Sequence, residues 1–148
     1  MADHKEAFLE ILKKRLCLPE REFGELEKNP RFQRLFENAI KASRYTIVAE
    51  VVSSRSCHSG HVVGQRFYFD SAGNLLTKHA PPRVCAFIFP NLVPLINVFF
   101  ENLMNGRDPN EVIFNRTGCF DVGVNCGGWG HIILEVNAIP RDQIEFDK

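Results

Sequence analysis

The spacing of apolar and polar positions changes character once along the chain, near Arg44. Before that point, Phe8, Leu9, Leu12 and Leu16 recur three and four residues apart with Lys5, Lys13 and Lys14 between them, as in an amphipathic helix. Pro19 followed by Glu20 and Glu22 suits the first turn of a second, short helix. Asn29-Pro30 is a good N-cap and first-turn pair, after which Phe32, Leu35, Phe36, Ala39 and Ile40 form one stripe. Residues 1–43 therefore read as a helical arm. Its stripe must dock on the chain's own core or on a partner, either a second copy (a homo-oligomer) or a partner enzyme.

From Arg44 onward the period shortens. Tyr45 to Val52 is β-branched and strand-like, and Val62 to Asp70 resumes a strand with Val63, Phe67 and Phe69 on one face. Ser71 to Asn74 is a turn, and Leu75-Leu-Thr77 predicts the returning strand of a hairpin. After the loop His79-Ala-Pro-Pro82, an apolar helix runs to a C-cap at Asn105-Gly106, with Pro94 either kinking it or marking its start. Glu111–Arg116 and His131–Ile139 predict two more strands, joined by the glycine-rich stretch from Gly118 to Gly130. The fold class is α+β. Residues 44–148 form the core domain, a small antiparallel or mixed sheet with one buried apolar helix.

Composition narrows the function classes. The 148 residues fit one domain, and 45% of them are apolar. Eighteen basic side chains balance eighteen acidic ones, so no broad field attracts nucleic acid or an anionic membrane. The longest apolar run, Val84 to Phe100, is interrupted by Pro90, Asn91, Pro94 and Asn97 and reads as a buried helix rather than a membrane span. The first residues lack the apolar core of an export signal, which implies a cytoplasmic location. Five cysteines in such a chain point to reduced thiols, metal ligands or packing rather than a disulfide framework.

The chemistry concentrates in two loops of like pattern. Cys57-His-Ser-Gly-His61 and Cys126-Gly-Gly-Trp-Gly-His131 each present a thiol and an imidazole at a strand entrance. Cys85, after Pro81-Pro82, falls at the start of the apolar helix, where free N–H groups favour a thiolate. Cys57, His61, Cys85 and Cys126 are the candidate ligands of a zinc, iron or iron–sulfur site, with Cys119 or His131 in reserve and Cys17 a bystander. The same thiols equally suit packing, because free cysteine behaves as a small hydrophobe. Gly127 to Gly130 precedes a strand, so no helix N-terminus stands behind it to hold a phosphate. Asp121 and Glu135, the carboxylates nearest these loops, read as solvated or paired acids.

The stretch from Ala49 through Cys57-His-Ser-Gly-His-Val-Val-Gly64 resembles a family of small uncharacterised proteins associated with anaerobic bacteria and archaea. Their pattern is a strand, then Cys-x-x-Gly-His-Lys-Val-Gly-Asp, then a cysteine opening an apolar helix and another before the last strand. Cys57, Gly60, His61, Val63 and Gly64 match the first motif, while Val62 stands for the lysine and Gln65 for the aspartate. Cys85 and Cys126 fit the later positions. The resemblance spans roughly residues 44 to 139 and implies that Cys57, His61, Cys85 and Cys126 act as a group.

Three functions are consistent with these features. The first is a metal- or iron–sulfur-binding protein, accessory to an anaerobic redox system. The second is a small enzyme acting on an apolar or aromatic substrate, with Cys57 as nucleophile or His61 as acid/base. In it Phe67, Phe69, Phe87 and Phe89 would line the pocket, and Phe67, Phe69 and Trp129 are the candidate cofactor contacts. The third is an interaction module with structural cysteines only.

Overall fold

The computed structural model of the chain describes residues 2–146; Met1, Asp147 and Lys148, at the ends of the two expected segments, lie outside the described residues. Helices α1 (Ala2–Leu16), α2 (Glu20–Lys28) and α3 (Pro30–Ala42) come first, then strands β1 (Tyr45–Arg55) and β2 (Arg66–Asp70). Helix α4 (Phe89–Met104) precedes β3 (Arg116–Gly118) and β4 (His131–Pro140). The four strands form one antiparallel sheet in the order β2-β1-β4-β3.

The core lies between one face of this sheet and α4. In register, Ile47 sits opposite Phe69 and Ala138, and Ala49 opposite Phe67 and Val136. Side chains of one parity therefore bury together on one face. From α4, Leu92, Ile96, Phe99 and Leu103 descend onto that face at helical spacing. Each such side chain contributes about 1.5–3 kcal/mol on leaving water. The opposite face of α4 stays exposed at Val93, Pro94, Asn97 and Val98, so the helix is buried through its core face. Pro94 lies inside the helix, where the N–H it lacks would have reached the carbonyl of Pro90 in the first turn. The helix stops where expected: Asn105 caps it and Gly106 takes a left-handed φ of 70°.

Helix α3 is capped as expected, with Arg31 N–H donating to Asn29 Oδ1 at 3.0 Å. It buries Phe36, Ala39 and Ala42, while Phe32 and Ile40 of the expected stripe remain exposed. The arm docks through α3 onto α4, where Asn38 Nδ2 donates to the Met104 carbonyl at 3.2 Å. Helices α1 and α2 pack on α3 in turn, with the rings of Phe8 and Phe36 6.4 Å apart.

Three expected strands are shorter than the pattern suggests. The second begins only at Arg66, and Leu75 gives a single bridge to Phe69 before a 3-10 turn at Thr77–His79. The segment from Glu111 is no strand until Arg116. There the edge of β4 is met by other groups: Val136 N–H donates to the Asn115 carbonyl at 2.7 Å. The Asn110 side-chain amide donates to the Ala138 carbonyl at 2.9 Å and accepts its N–H at 2.8 Å. One amide side chain thus makes both hydrogen bonds that a neighbouring strand would make.

Candidate functional site

A bulge between Val51 and Ser53 shifts the register of β1 on β4, pairing resumes to Arg55 opposite His131, and the chain then turns into the loop over residues 56–65. That loop is tied back at its far end: Gly64 N–H donates to the Val51 carbonyl at 2.8 Å, and Val51 N–H to the Gln65 carbonyl at 2.9 Å. Within it His61 is buried and held by three contacts. Its carbonyl accepts Ser54 Oγ–H at 2.6 Å, its Nδ1 donates to Gln65 Oε1 at 2.7 Å, and its ring packs edge-to-face with Phe67, the centroids 5.3 Å apart. With the proton on Nδ1, Nε2 carries a bare lone pair. Among the described residues, Nε2 is the one buried side-chain nitrogen or oxygen lacking a hydrogen-bond partner.

The glycine-rich loop forms the facing wall. Asp121 stitches it: its carboxylate accepts N–H groups from Gly123 at 2.9 Å, Trp129 at 3.1 Å and Gly130 at 3.3 Å. The Gly123 hydrogen bond above all, with those of Gly130 and Trp129, holds the Asp121 carboxyl below the ordinary aspartate range. Gly130 lies against Ser56 and Cys57, and a Cβ there would collide with the Ser56 carbonyl. Trp129 is thereby set at the rim, packed edge-to-face with His58, the ring centroids 5.1 Å apart.

Between the walls lies a cavity of about 660 Å³. Cys57, His61, Cys85 and Cys119 line it, with His58 and His131, and its apolar lining includes Phe87, Ile88, Phe120, Val122, Trp129 and Ile132. No Lys or Arg is among the described residues that line it, and Asp121, its one carboxylate, is engaged by backbone. The cavity is of small-molecule size.

The expected site residues divide. Cys57, His61, Cys85 and Trp129 share the cavity. Cys126 is exposed in the 3-10 turn Val124–Cys126 and does not line it. Cys119 stands on the wall instead, because the β3–β4 ladder runs on through it: Cys119 N–H donates to the Ile132 carbonyl at 3.0 Å, and Ile132 N–H reaches Cys119 Sγ at 3.4 Å. The Cys…Gly-His echo favoured Cys126; the continuation of Arg116-Thr-Gly into Cys119 was the signal for the other. Phe67 and Phe69 lie in the core rather than on the cavity wall, since alternation along β2 turns both toward α4. Phe89 likewise packs on the core, and of the four expected pocket phenylalanines Phe87 alone lines the cavity. Among the described residues, no three His, Cys, Asp or Glu side chains are arranged to hold a metal ion. Cys17 is exposed just after α1, apart from the cavity. Glu135 is paired with Arg116 at 2.6 Å.

Fold and cavity together define an α+β protein with an apolar cavity lined by thiols and imidazoles. Set against protein-family models, curated proteins and solved structures, the chain matches none of them.

Proposed function

We propose that the chain binds a neutral, apolar or aromatic small molecule bearing a proton donor. His61 Nε2 is the acceptor and, toward an acidic enough donor, the base. The observation that carries this is the buried lone pair of Nε2, fixed in its tautomer by Gln65 and left without a partner on a side chain that lines an apolar cavity; a small ring movement brings Nε2, closed off in the free chain, to the ligand. A buried acceptor without a donor costs about 1–3 kcal/mol, which a ligand O–H or N–H recovers. The missing cationic lining disfavours phosphorylated or carboxylated ligands. Cys57, on the same wall, is the available nucleophile.

The test is calorimetric titration with 2-naphthol and with its methyl ether, which have nearly the same shape. The phenol is expected to bind about tenfold more tightly, the worth of one buried hydrogen bond, and His61→Phe is expected to abolish that difference. Equal affinities for the two probes, or a preference that survives His61→Phe, would overturn the reading.

A second reading is favoured by the same bare nitrogen together with the three thiols that line its cavity: a zinc or iron ion, or an iron–sulfur cluster, drawing on His61, Cys57, Cys85 and Cys119. It requires side-chain movement, because these groups are not already gathered. Elemental analysis of anaerobically purified protein decides it. One zinc or iron per chain, lost in Cys57→Ser, supports a metal site; metal below a tenth of that removes it.

A further inference from the structure

The outer face of α4 and the rim of the cavity form one apolar surface. Phe87, in the 3-10 turn that leads into α4, is 58% exposed, and its ring lies 6.4 Å from that of Phe120, itself 66% exposed. Phe120 N–H donates to the Phe87 carbonyl at 2.7 Å, and Asn91 Nδ2 to the Gly118 carbonyl at 3.1 Å, so rim and helix are tied together. From Phe87 the surface runs along the helix through Pro90, Val93, Pro94 and Val98, all exposed, and across the cavity mouth to Trp129, 68% exposed. At 150–250 Å² per aromatic side chain and somewhat less per aliphatic one, this is roughly 600 Å² of exposed apolar area. Lone soluble domains seldom leave more than about 300–600 Å² in one patch, and a stable dimer buries about 800 Å² on each partner, little more than half of it apolar.

We propose that this surface seats a second copy of the chain, with α4 packed antiparallel on its twofold mate. The arrangement of the stripe selects the occupant. Helix α4 carries no Lys or Arg, and its one carboxylate, Glu101, stands at the far end of the exposed face. A twofold axis beside Pro94 places each Glu101 across from the other copy's Phe87 end. The two carboxylates then lie about 21 Å apart along the helix at 1.5 Å per residue. Self-pairing of this face therefore meets no like-charge conflict, the condition an isologous interface must satisfy. A lipid surface suits it less. The stretch Ala86–Met104 is long and apolar enough to cross a membrane, but its inner face is docked in the core and its outer face bears Asn91, Asn97 and Glu101. Each helix end of the dimer also flanks the other copy's cavity mouth, so the mouth is complete only in the pair.

Sedimentation velocity on the full chain at micromolar concentrations is expected to give a two-chain species. Val93→Asp, at a side chain already exposed in the single chain, is expected to weaken association at least about tenfold without changing the circular dichroism spectrum. In a background with the exposed Cys17 and Cys126 changed to Ser, Val93→Cys is expected to form a linked dimer under mild oxidation and Ile11→Cys is not. The proposal falls if the wild type is a single chain, if Val93→Asp leaves the dimer intact, or if Ile11→Cys links and Val93→Cys does not, since the helical arm is then the interface. It falls equally if the wild type floats with phosphatidylcholine vesicles and Val93→Asp does not.

Discussion

The imidazole of His61 depends on Gln65 for its direction and on Phe67 for its floor. Replacing Gln65 with Leu keeps the bulk and removes the acceptor, so Nδ1–H loses the bond that fixes the tautomer. Affinity for a phenolic probe is expected to fall about tenfold with the circular dichroism unchanged, the usual scale for losing an orienting partner. The thiols supply a second check at this scale. Cys17 and Cys126 are exposed, whereas Cys57, Cys85 and Cys119 are partly buried against the core. A maleimide is expected to label the first two quickly, and a bound aromatic probe to protect Cys57, Cys85 and Cys119 but neither Cys17 nor Cys126; mass spectrometry of digests reads both. Cys57, Gly60 and His61 stood out in the sequence because their spacing is local. Gln65 did not, since it fills the place where the resembled pattern has aspartate and so looks like a loss. Its amide oxygen nevertheless accepts the imidazole N–H, as a carboxylate oxygen could.

The glycine-rich loop owes its shape to one side chain. Because backbone N–H groups hold the Asp121 carboxyl below its ordinary range, its contribution is complete above the unfolded aspartate value and is lost as pH falls through the lowered folded value. Trp129 emission, followed from pH 7 to pH 2, is expected to show a step below the ordinary aspartate range that Asp121→Ala removes. Gly130→Ala forces the loop off Ser56 and Cys57 and is expected to cost about 1–3 kcal/mol in urea denaturation, as overpacking does. Elements were legible where pattern and packing agree. β1, β4, the Asn29 cap and the Gly106 stop follow from residues close in sequence. The segment from Glu111 was not, because Val112-Ile113-Phe114 has strand-like chemistry while Ile113 and Phe114 are 91% and 82% exposed. What keeps them out of the sheet is the Asn110 amide bonded to Ala138, a contact across 28 residues that no local window reveals.

Across the whole molecule the arm and the core form a series, with α1 and α2 on α3 and α3 on α4. Removing residues 1–28 uncovers chiefly one face of α3. That shortened chain is expected to stay soluble with a lower melting temperature. Removing residues 1–42 strips Leu35, Phe36, Ala39 and Ala42 from the core, at about 1.5–3 kcal/mol for each large side chain. It is expected to aggregate, as light scattering would report; a soluble product of unchanged stability would show that the arm packs only loosely. The Asn110 amide has a consequence at this same scale. A sheet edge with free N–H and C=O groups invites strands from other molecules to add on without limit. By occupying both groups of Ala138, Asn110 acts as a chain terminator for the sheet, and it does so beside an exposed apolar segment that would itself make a good added strand. Asn110→Ala is therefore expected to leave the chain folded and yet shorten the lag before thioflavin-positive fibrils appear, so that protection from polymerisation rests on a residue outside both the core and the cavity.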